Sequence, residues 1–315
     1  MYFPVAGIEV SPFVPPLVAF GVSLFASMGG ISGAFLLLPF QVSVLGYTNP
    51  SVSATNQFYN IVAIPSGVYR YIKEKRMVWP LTTVVAIGTL PGVFIDALVR
   101  IVWLPDPKTF KLFAGSVLLY IGGRMVWGLI TETINKRKAA HPTATSAPTA
   151  ASLSKQPDQR IGATDFVSII EFSFKRIAYT FKGEEYSCPT LGVFSLSFIV
   201  GIIGGAYGIG GGAIIAPFLV AMYRLPVHTL SGATLMGTFL TSIAAVAFFM
   251  IIAPYFPTQA VKPDWMLGFL FGIGGFAGMY CGAAMQKHVP ALLIKWMLGI
   301  VITSTALKYF MEYFL

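Results

Sequence analysis

Charge is scarce in this chain. Only 10% of its 315 residues are charged, whereas 56% are hydrophobic, and the mean hydropathy is +0.75. Soluble domains carry roughly 25% charged residues, so the composition excludes a soluble globular protein and indicates an integral membrane one. Cysteine is limited to Cys188 and Cys281, with no CxxC pair and no neighbouring histidine, which leaves neither a metal site nor a redox couple. There is no GxxxxGK[ST] loop to support ATP hydrolysis. Nor is there a carboxylate cluster inside the apolar runs, as a proton relay or a cation path would want. Asp96 stands alone there, one turn before Arg100, and reads as half of a structural ion pair. No cofactor and no enzyme activity is implied.

What charge there is has a pattern. The net charge is +9, and twelve of the 21 Lys/Arg fall in two stretches: Arg70 to Arg76, and the region 132–188. Clusters beside apolar runs follow the positive-inside rule and place both stretches in the cytoplasm. No basic stripe with interleaved aromatics points to nucleic acid. The first residues, MYFPVAGIEVSPFVPP, lack the basic start of a cleavable signal peptide, so the first apolar segment is read as retained.

Ten apolar runs can be marked, and several approach the roughly 20 residues needed to span a bilayer. Three are too short, at 13–28, 33–46 and 211–223, and these flank glycine clusters. The tract 139–160, rich in Ala, Ser, Thr and Pro, is expected to be disordered. In 165–182, Phe166, Ile169, Ile170, Ile177 and Phe181 recur at near-helical spacing. An amphipathic helix on the cytoplasmic membrane face is expected, although the local alternation also fits a strand. The chain therefore divides into a first transmembrane repeat (1–131), a cytoplasmic linker (132–188) and a second repeat (189–315).

The two outer parts align. Gly30-Ile31-Ser32-Gly33 matches Gly208-Ile209-Gly210-Gly211 at an offset of 178, and Pro39-Phe40 matches Pro217-Phe218. At the same offset Ser53, Asn56 and Asn60 fall on Ser231, Thr234 and Thr238. The expected fold is all-α and polytopic, with two homologous halves of about five helical segments each. If each broken segment forms a hairpin, Arg224, Lys287 and Lys295 come to the cytoplasmic side. Charge placement thus favours inverted repeats, as in many secondary transporters.

Two chemistries compete for the breaks. GISG resembles the motif of an intramembrane serine protease, with Ser32 as nucleophile. A nucleophilic serine needs a positioned base, and the three histidines are His141 in the linker and His228 and His288 beside prolines. The second half also has Gly210 where Ser32 stands. The alternative is that Gly30, Pro39, Gly208 and Pro217 break helices, so that N-terminal N–H groups at Ser32, Gly33, Gly210, Gly211 and Gly212 face a solute. Such ends carry partial positive charge and favour anions. Ser53, Asn56, Gln57 and Asn60 share a helical face, as do Ser231, Thr234 and Thr238, giving two uncharged polar stripes to hold and release an anion. Tyr207 stands next to Gly208 as a further donor. The bland alternatives are close helix packing by the glycines and interhelical hydrogen bonds by the stripes.

These motifs carry a resemblance. GGAYGIGGGAIIAPFL at 204–219, followed by SGATLMGTFLTSIAA at 231–245, resembles the sulfite exporter TauE/SafE family, also called the toluenesulfonate uptake permease family. GGISGAFLLLPF at 29–40 is its weaker echo, with Ser32 and Ala34 where the family has glycines. The resemblance implies transport of sulfur-containing anions such as sulfite, sulfoacetate or other organosulfonates, generally outward across the cytoplasmic (inner) membrane. Uptake, or another small anion, is the alternative. The expected partners are the anion and the lipid bilayer, not nucleic acid, and self-association of copies is left open.

Overall fold

The computed structural model describes residues 1–29, 31–140, 166–206, 208–286, 289 and 291–314. Among them are ten α-helices in two runs of five. The first run is α1 (Val14–Met28), α2 (Ala34–Ser43), α3 (Ser51–Lys73), α4 (Trp79–Val102) and α5 (Pro107–Ala140). The second is α6 (Thr190–Ala206), α7 (Gly211–Tyr223), α8 (Val227–Ile252), α9 (Trp265–Met285) and α10 (Ala291–Phe314). A two-stranded ribbon of β1 (Tyr2–Phe3) and β2 (Ile8–Glu9) precedes α1. Of these helices α4, α8 and α9 are long and apolar enough to cross a membrane, while α1, α2 and α6 are shorter apolar helices. This is an all-α polytopic membrane protein with small sheets only.

The pattern of packing survives exchange of the two runs. The most extensive contacts are α1 on α9 and α4 on α6, so the first helix of each run packs on the fourth helix of the other. In the same sense α3 packs on α8, α5 on α10, and α3 on α9 as α4 does on α8. Small residues allow these approaches. Along α9, Gly274, Gly278 and Gly282 face the backbone of α1 at Pro16, Phe20 and Leu24, while Gly268, Gly272 and Gly275 face Phe58, Val62 and Tyr59 of α3.

Hydrogen bonds identify the two ends of the bundle. At one end the Lys75 carbonyl, the first residue of α6 and the first turn of α8 all meet the region 166–189. At the other, the amino-terminal ribbon meets residues 49 and 264. The carbonyl of Met28 accepts from Gln286 at the first end, whereas Tyr47, beyond α2, is bonded to Ser51 near the second. Helices α1 and α2 are therefore antiparallel. The helices run on through Pro39 and Pro217, correcting the expectation that these prolines break them. A proline removes one ladder bond, which a packed membrane helix tolerates. Among the described residues the helices are interrupted at Gly29 and 31–33, and at 208–210, instead.

The amphipathic helix expected over 165–182 is not what forms. Residues 168–189 make a three-stranded antiparallel sheet of β3 (Ser168–Phe172), β4 (Arg176–Phe181) and β5 (Glu184–Pro189). Gly183 at φ +80 and Lys182 at φ +54 close the second hairpin with left-handed backbone, a conformation that no helix passes through. The alternation of Ile177, Tyr179 and Phe181, all buried, is the strand signal that prevailed. Helix α5 runs on to Ala140, beyond the boundary expected at 131. The remainder of the tract expected to be disordered, 141–160, lies outside the described residues.

Candidate functional site

Near the middle of α3, one side chain meets both interruptions. Asn60 accepts a hydrogen bond from Ser32 Oγ through its Oδ1, and its Nδ2 donates to the carbonyl of Ile209 at 3.2 Å and to Ser242 Oγ at 3.3 Å. Ser32 Oγ in turn accepts the N–H of Ala34, the first residue of α2, at 3.2 Å. It thus closes a local serine turn just ahead of the N-cap, Gly33. Ser242 on α8 donates to Gln57 Oε1 at 2.7 Å, joining α8 to α3 one turn from Asn60. Ser32, Gln57, Asn60 and Ser242 are all fully buried. The partner of the Ser32 hydroxyl is an amide oxygen, which cannot act as a general base, so its contacts are those of a turn and a bridge.

The glycines of the second interruption fit tightly. Gly208 and Gly210 have φ of +76 and +77, a region L side chains rarely adopt. A Cβ on Gly208 would lie 2.7 Å from Ser53 Cα, and one on Gly210 would lie 2.8 Å from Thr238 Cγ2. Gly211 packs against Thr89 and Gly201, and Gly212 against Thr234 and Thr238. Gly33, at the start of α2, leaves no room beside the Ser23 and Tyr59 hydroxyls, which bond each other at 2.6 Å. These positions thus serve close packing as well as the turn. Gly30 and Tyr207 lie outside the described residues.

The two polar stripes differ in how they are satisfied. On α8 each hydroxyl donates to its own helix: Ser231 to the Val227 carbonyl at 2.7 Å, Thr234 to Ser231 at 3.2 Å, and Thr238 to Thr234 at 2.9 Å. A hydroxyl one carbon from the backbone can do this. The carboxamides on α3 have no such outlet. Both polar atoms of Asn56 and the Nε2 of Gln57 are buried without a hydrogen-bond partner. An unsatisfied buried polar group costs about 1–3 kcal/mol. This is a local destabilisation that a bound ligand would relieve.

A third carboxamide belongs with them, and sequence reasoning missed it. Gln41 on α2 is fully buried with neither polar side-chain atom partnered. Gln41 is seven residues along α2 from Ala34, or about 10 Å of axial rise. Because α2 and α3 are antiparallel, the same rise along α3 from Asn60 reaches Ser53. Gln41 therefore stands level with the Ser53–Asn56 turn. A signal was available: at the repeat offset its counterpart is Leu219, so this glutamine breaks an apolar pattern that its equivalent keeps. No charged side chain among the described residues bonds to Gln41, Asn56, Gln57 or Asn60.

Buried polar side chains tie the helices together at both ends of the bundle. At the sheet end, Gln286 Nε2 donates to the Met28 carbonyl at 2.9 Å and to Ser231 Oγ at 3.4 Å, while its Oε1 accepts from Arg76 at 3.1 Å and Tyr71 at 3.2 Å. At the ribbon end, Asp264 Oδ2 accepts the N–H of Ala6 at 3.2 Å, its Oδ1 caps α9 through the N–H of Leu267, and its own N–H donates to Thr55 Oγ1 at 2.9 Å. Buried Arg100 bonds the carbonyls of Leu104 and Thr48 and lies over the Phe110 ring at 3.9 Å. The Asp96 side chain expected to pair with it is outside the described set. A cleft of about 340 Å³ at this end is lined by Thr48, Asn49, Pro50, Pro107 and Gln259 among others, and by no residue of either stripe.

The chain is similar in sequence to several proteins named as probable membrane transporters. The chain is 22% identical over 289 residues to "Probable membrane transporter protein YunE" of Bacillus subtilis, covering 88% of this chain and 89% of that one. It is 23% identical over 298 residues to a "Probable membrane transporter protein" of Xylella fastidiosa, covering 92% and 90%. A shorter match, 26% identical over 125 residues, covers 39% of this chain and 47% of "Probable membrane transporter protein YdhB" of Bacillus subtilis. No solved structure matches the chain. The model for "Sulfite exporter TauE/SafE" matches residues 16–309, from α1 to the last turns of α10. This polytopic bundle with its two paired interruptions therefore belongs to the sulfite exporter TauE/SafE family of membrane transporters.

Proposed function

We propose that the chain carries a small sulfur-containing oxyanion, such as sulfite, sulfoacetate or another organosulfonate, outward across the cytoplasmic membrane. In this reading the anion sits between the two interruptions, against Asn56, Gln57 and Gln41. Asn60, Ser32 and Gly33 frame it from the first half, and Gly210, Gly211, Gly212, Ser231, Thr234 and Thr238 from the second. The observation that carries the reading is the set of fully buried carboxamides with unpartnered polar atoms, both of those in Gln41 and in Asn56 and the Nε2 of Gln57. Two of these three residues, Asn56 and Gln57, lie within one turn of the residue that touches both breaks. Carboxamide N–H groups are uncharged donors, suited to an anion that has to be released again. The N-termini of α2 and α7, with their N-caps at Gly33 and Gly210, add partial positive charge.

Direction follows from energetics. An inside-negative potential drives a monovalent anion outward by about 2.3 kcal/mol per 100 mV, so export needs no coupled ion. The two five-helix runs act in this reading as inverted repeats, with the end that carries Arg70, Lys73, Lys75 and Arg76 in the cytoplasm. Alternating access then amounts to opening the Gln286 contacts and the Asp264 contacts in turn.

The test is uptake of labelled sulfite, sulfoacetate and isethionate into proteoliposomes with a defined potassium diffusion potential. Accumulation that follows the sign of the potential supports an electrogenic anion path. Flux of all three that equals protein-free vesicles, or that ignores voltage, counts against it.

A further inference from the structure

We propose that the β3–β4 hairpin is a membrane-surface anchor whose apolar face lies on the lipid of the adjoining leaflet. The argument begins with the register. Residues opposite each other in an antiparallel pair share a face of the sheet, so Ile169 lies with Tyr179 and Tyr186, and Phe172 with Ile177 and Cys188. Of this face, Ile177, Tyr179, Phe181 and Cys188 are buried. Tyr179 donates to or accepts from Thr229 on the first turn of α8 at 2.8 Å, which directs the whole face toward the helix ends. The opposite face carries Arg176 paired with Glu185 at 3.0 Å, together with Glu171, Thr180 and Ser187. The sheet is thus mainly apolar toward the membrane, with Glu184 opposite Phe181 as its charged member, and mainly polar away from it, with buried Ala178 as its apolar one.

Strand β3 extends this apolar face beyond what the helices cover. All five of its residues are exposed, and Phe172 is 55% exposed although it points the same way as fully buried Ile177. A register shift between Ile169 and Glu171 turns Ile170 out as an extra residue. At the hairpin tip Phe174 is 96% exposed, beside Lys175.

The height of this tip identifies its occupant. The Thr190 hydroxyl donates to the Ser173 carbonyl at 2.6 Å and its N–H to the Lys175 carbonyl at 3.2 Å, so the tip is fastened to the first residue of α6. The next residue, Leu191, is 70% exposed on an apolar helix, at the start of its outward-facing surface. Phe174 therefore stands where that surface begins, and the sheet's apolar overhang is continuous with it. Apolar side chains with a lysine at the rim fit an interfacial anchor, the ring among headgroups and the ammonium in their phosphate layer.

The experiment uses the full chain in nanodiscs of phosphatidylethanolamine and phosphatidylglycerol. Nitroxide labels are placed at Phe174→Cys and Ser187→Cys in a Cys188→Ala, Cys281→Ala background. The expected result is that the label at 174 collides preferentially with lipid-soluble oxygen and the label at 187 with a water-soluble nickel chelate. Nickel access at 174 equal to that at 187 overturns the proposal. Shielding of 174 from both reagents also overturns it, because protein then covers the tip. If that background fails to assemble, a benzophenone amino acid at 174 with both native cysteines kept gives the second reading. Lipid adducts support the proposal; cross-links to peptide, from this chain or a second copy, overturn it.

Discussion

Asn60 holds Ser32 through its Oδ1 and the carbonyl of Ile209, 149 residues away in sequence, through its Nδ2. The two interruptions are thereby fastened to one point on α3. Asn60→Leu removes these two bonds together with the one to Ser242 Oγ, and leaves the Ile209 carbonyl and the Ser32 hydroxyl to find other partners. A loss of about 2 kcal/mol is expected from such a double vacancy. It should appear as a lower Tm of the detergent-purified protein, alongside lost transport. An unchanged Tm would mean that Asn60 does not tie the breaks together.

Asn56→Leu should behave in the opposite way, although it lies one turn away on the same face. Neither polar atom of Asn56 has a partner to lose, so replacing it with an apolar side chain of similar size leaves stability equal or raises it by up to about 2 kcal/mol. Transport should nevertheless fall at least tenfold. A Tm increase with loss of flux is the signature of a binding residue held unsatisfied in the empty protein. A Tm decrease, or wild-type flux, contradicts that role.

Gln41 offers a substitution that the protein itself contains, since Leu219 occupies the matching place in the second half. Gln41→Leu should fold as well as the parent and weaken the apparent affinity for the anion roughly tenfold, the equivalent of about 1.4 kcal/mol. Gln41→Glu is isosteric but brings a carboxylate toward the proposed anion, and transport should be abolished at neutral pH. Equal activity of both variants and the parent, measured as initial uptake rates over a concentration series, would remove Gln41 from the site.

Much of this was legible in the sequence because it rests on period and repetition. Glycine clusters between short apolar runs mark both interruptions, and the 178-residue offset pairs Ser32 with Gly210. The shared face of Asn56, Gln57 and Asn60 followed from helical spacing. What sequence did not reveal was the state of each polar group. Thr238 and Asn56 look equivalent along a chain, yet one hydroxyl bonds its own helix while the other side chain stays unpaired, a difference set by side-chain length and rotamer. Gln41 was hidden in an apolar run, where a lone polar residue makes no stripe. The sheet at 168–189 was half legible: alternation in 165–182 also fits a strand, but two strands joined by a short turn can mimic helical spacing over 18 residues.

The contrast between the stripes gives a fourth expectation. Thr238→Val removes a bond from Thr238 to the Thr234 carbonyl within the same helix. The methyl that replaces the hydroxyl is isosteric, and the stability change should stay within about 1 kcal/mol. The uptake rate should stay well above that of Asn56→Leu. Equal losses in the two variants would show that the second-half hydroxyls contact the anion as directly as the first-half amides do.

Cys188 reports on the sheet. It lies on the membrane-directed face, opposite Ile177, and is 3% exposed. Burial away from water disfavours the thiolate and pushes the thiol up from 9.0 to about 11. Only the thiolate attacks a maleimide, so native protein at pH 7.5 should leave Cys188 unmodified while a denatured chain is labelled quickly. With a pKa raised by folding, this group's contribution to stability is complete below about pH 9 and is lost as pH rises toward about 11. Labelling followed by mass spectrometry should therefore stay low through neutral pH and climb steeply in that alkaline window. Labelling at pH 7.5 as fast as in the denatured chain would mean that the sheet does not stay seated on the helix ends.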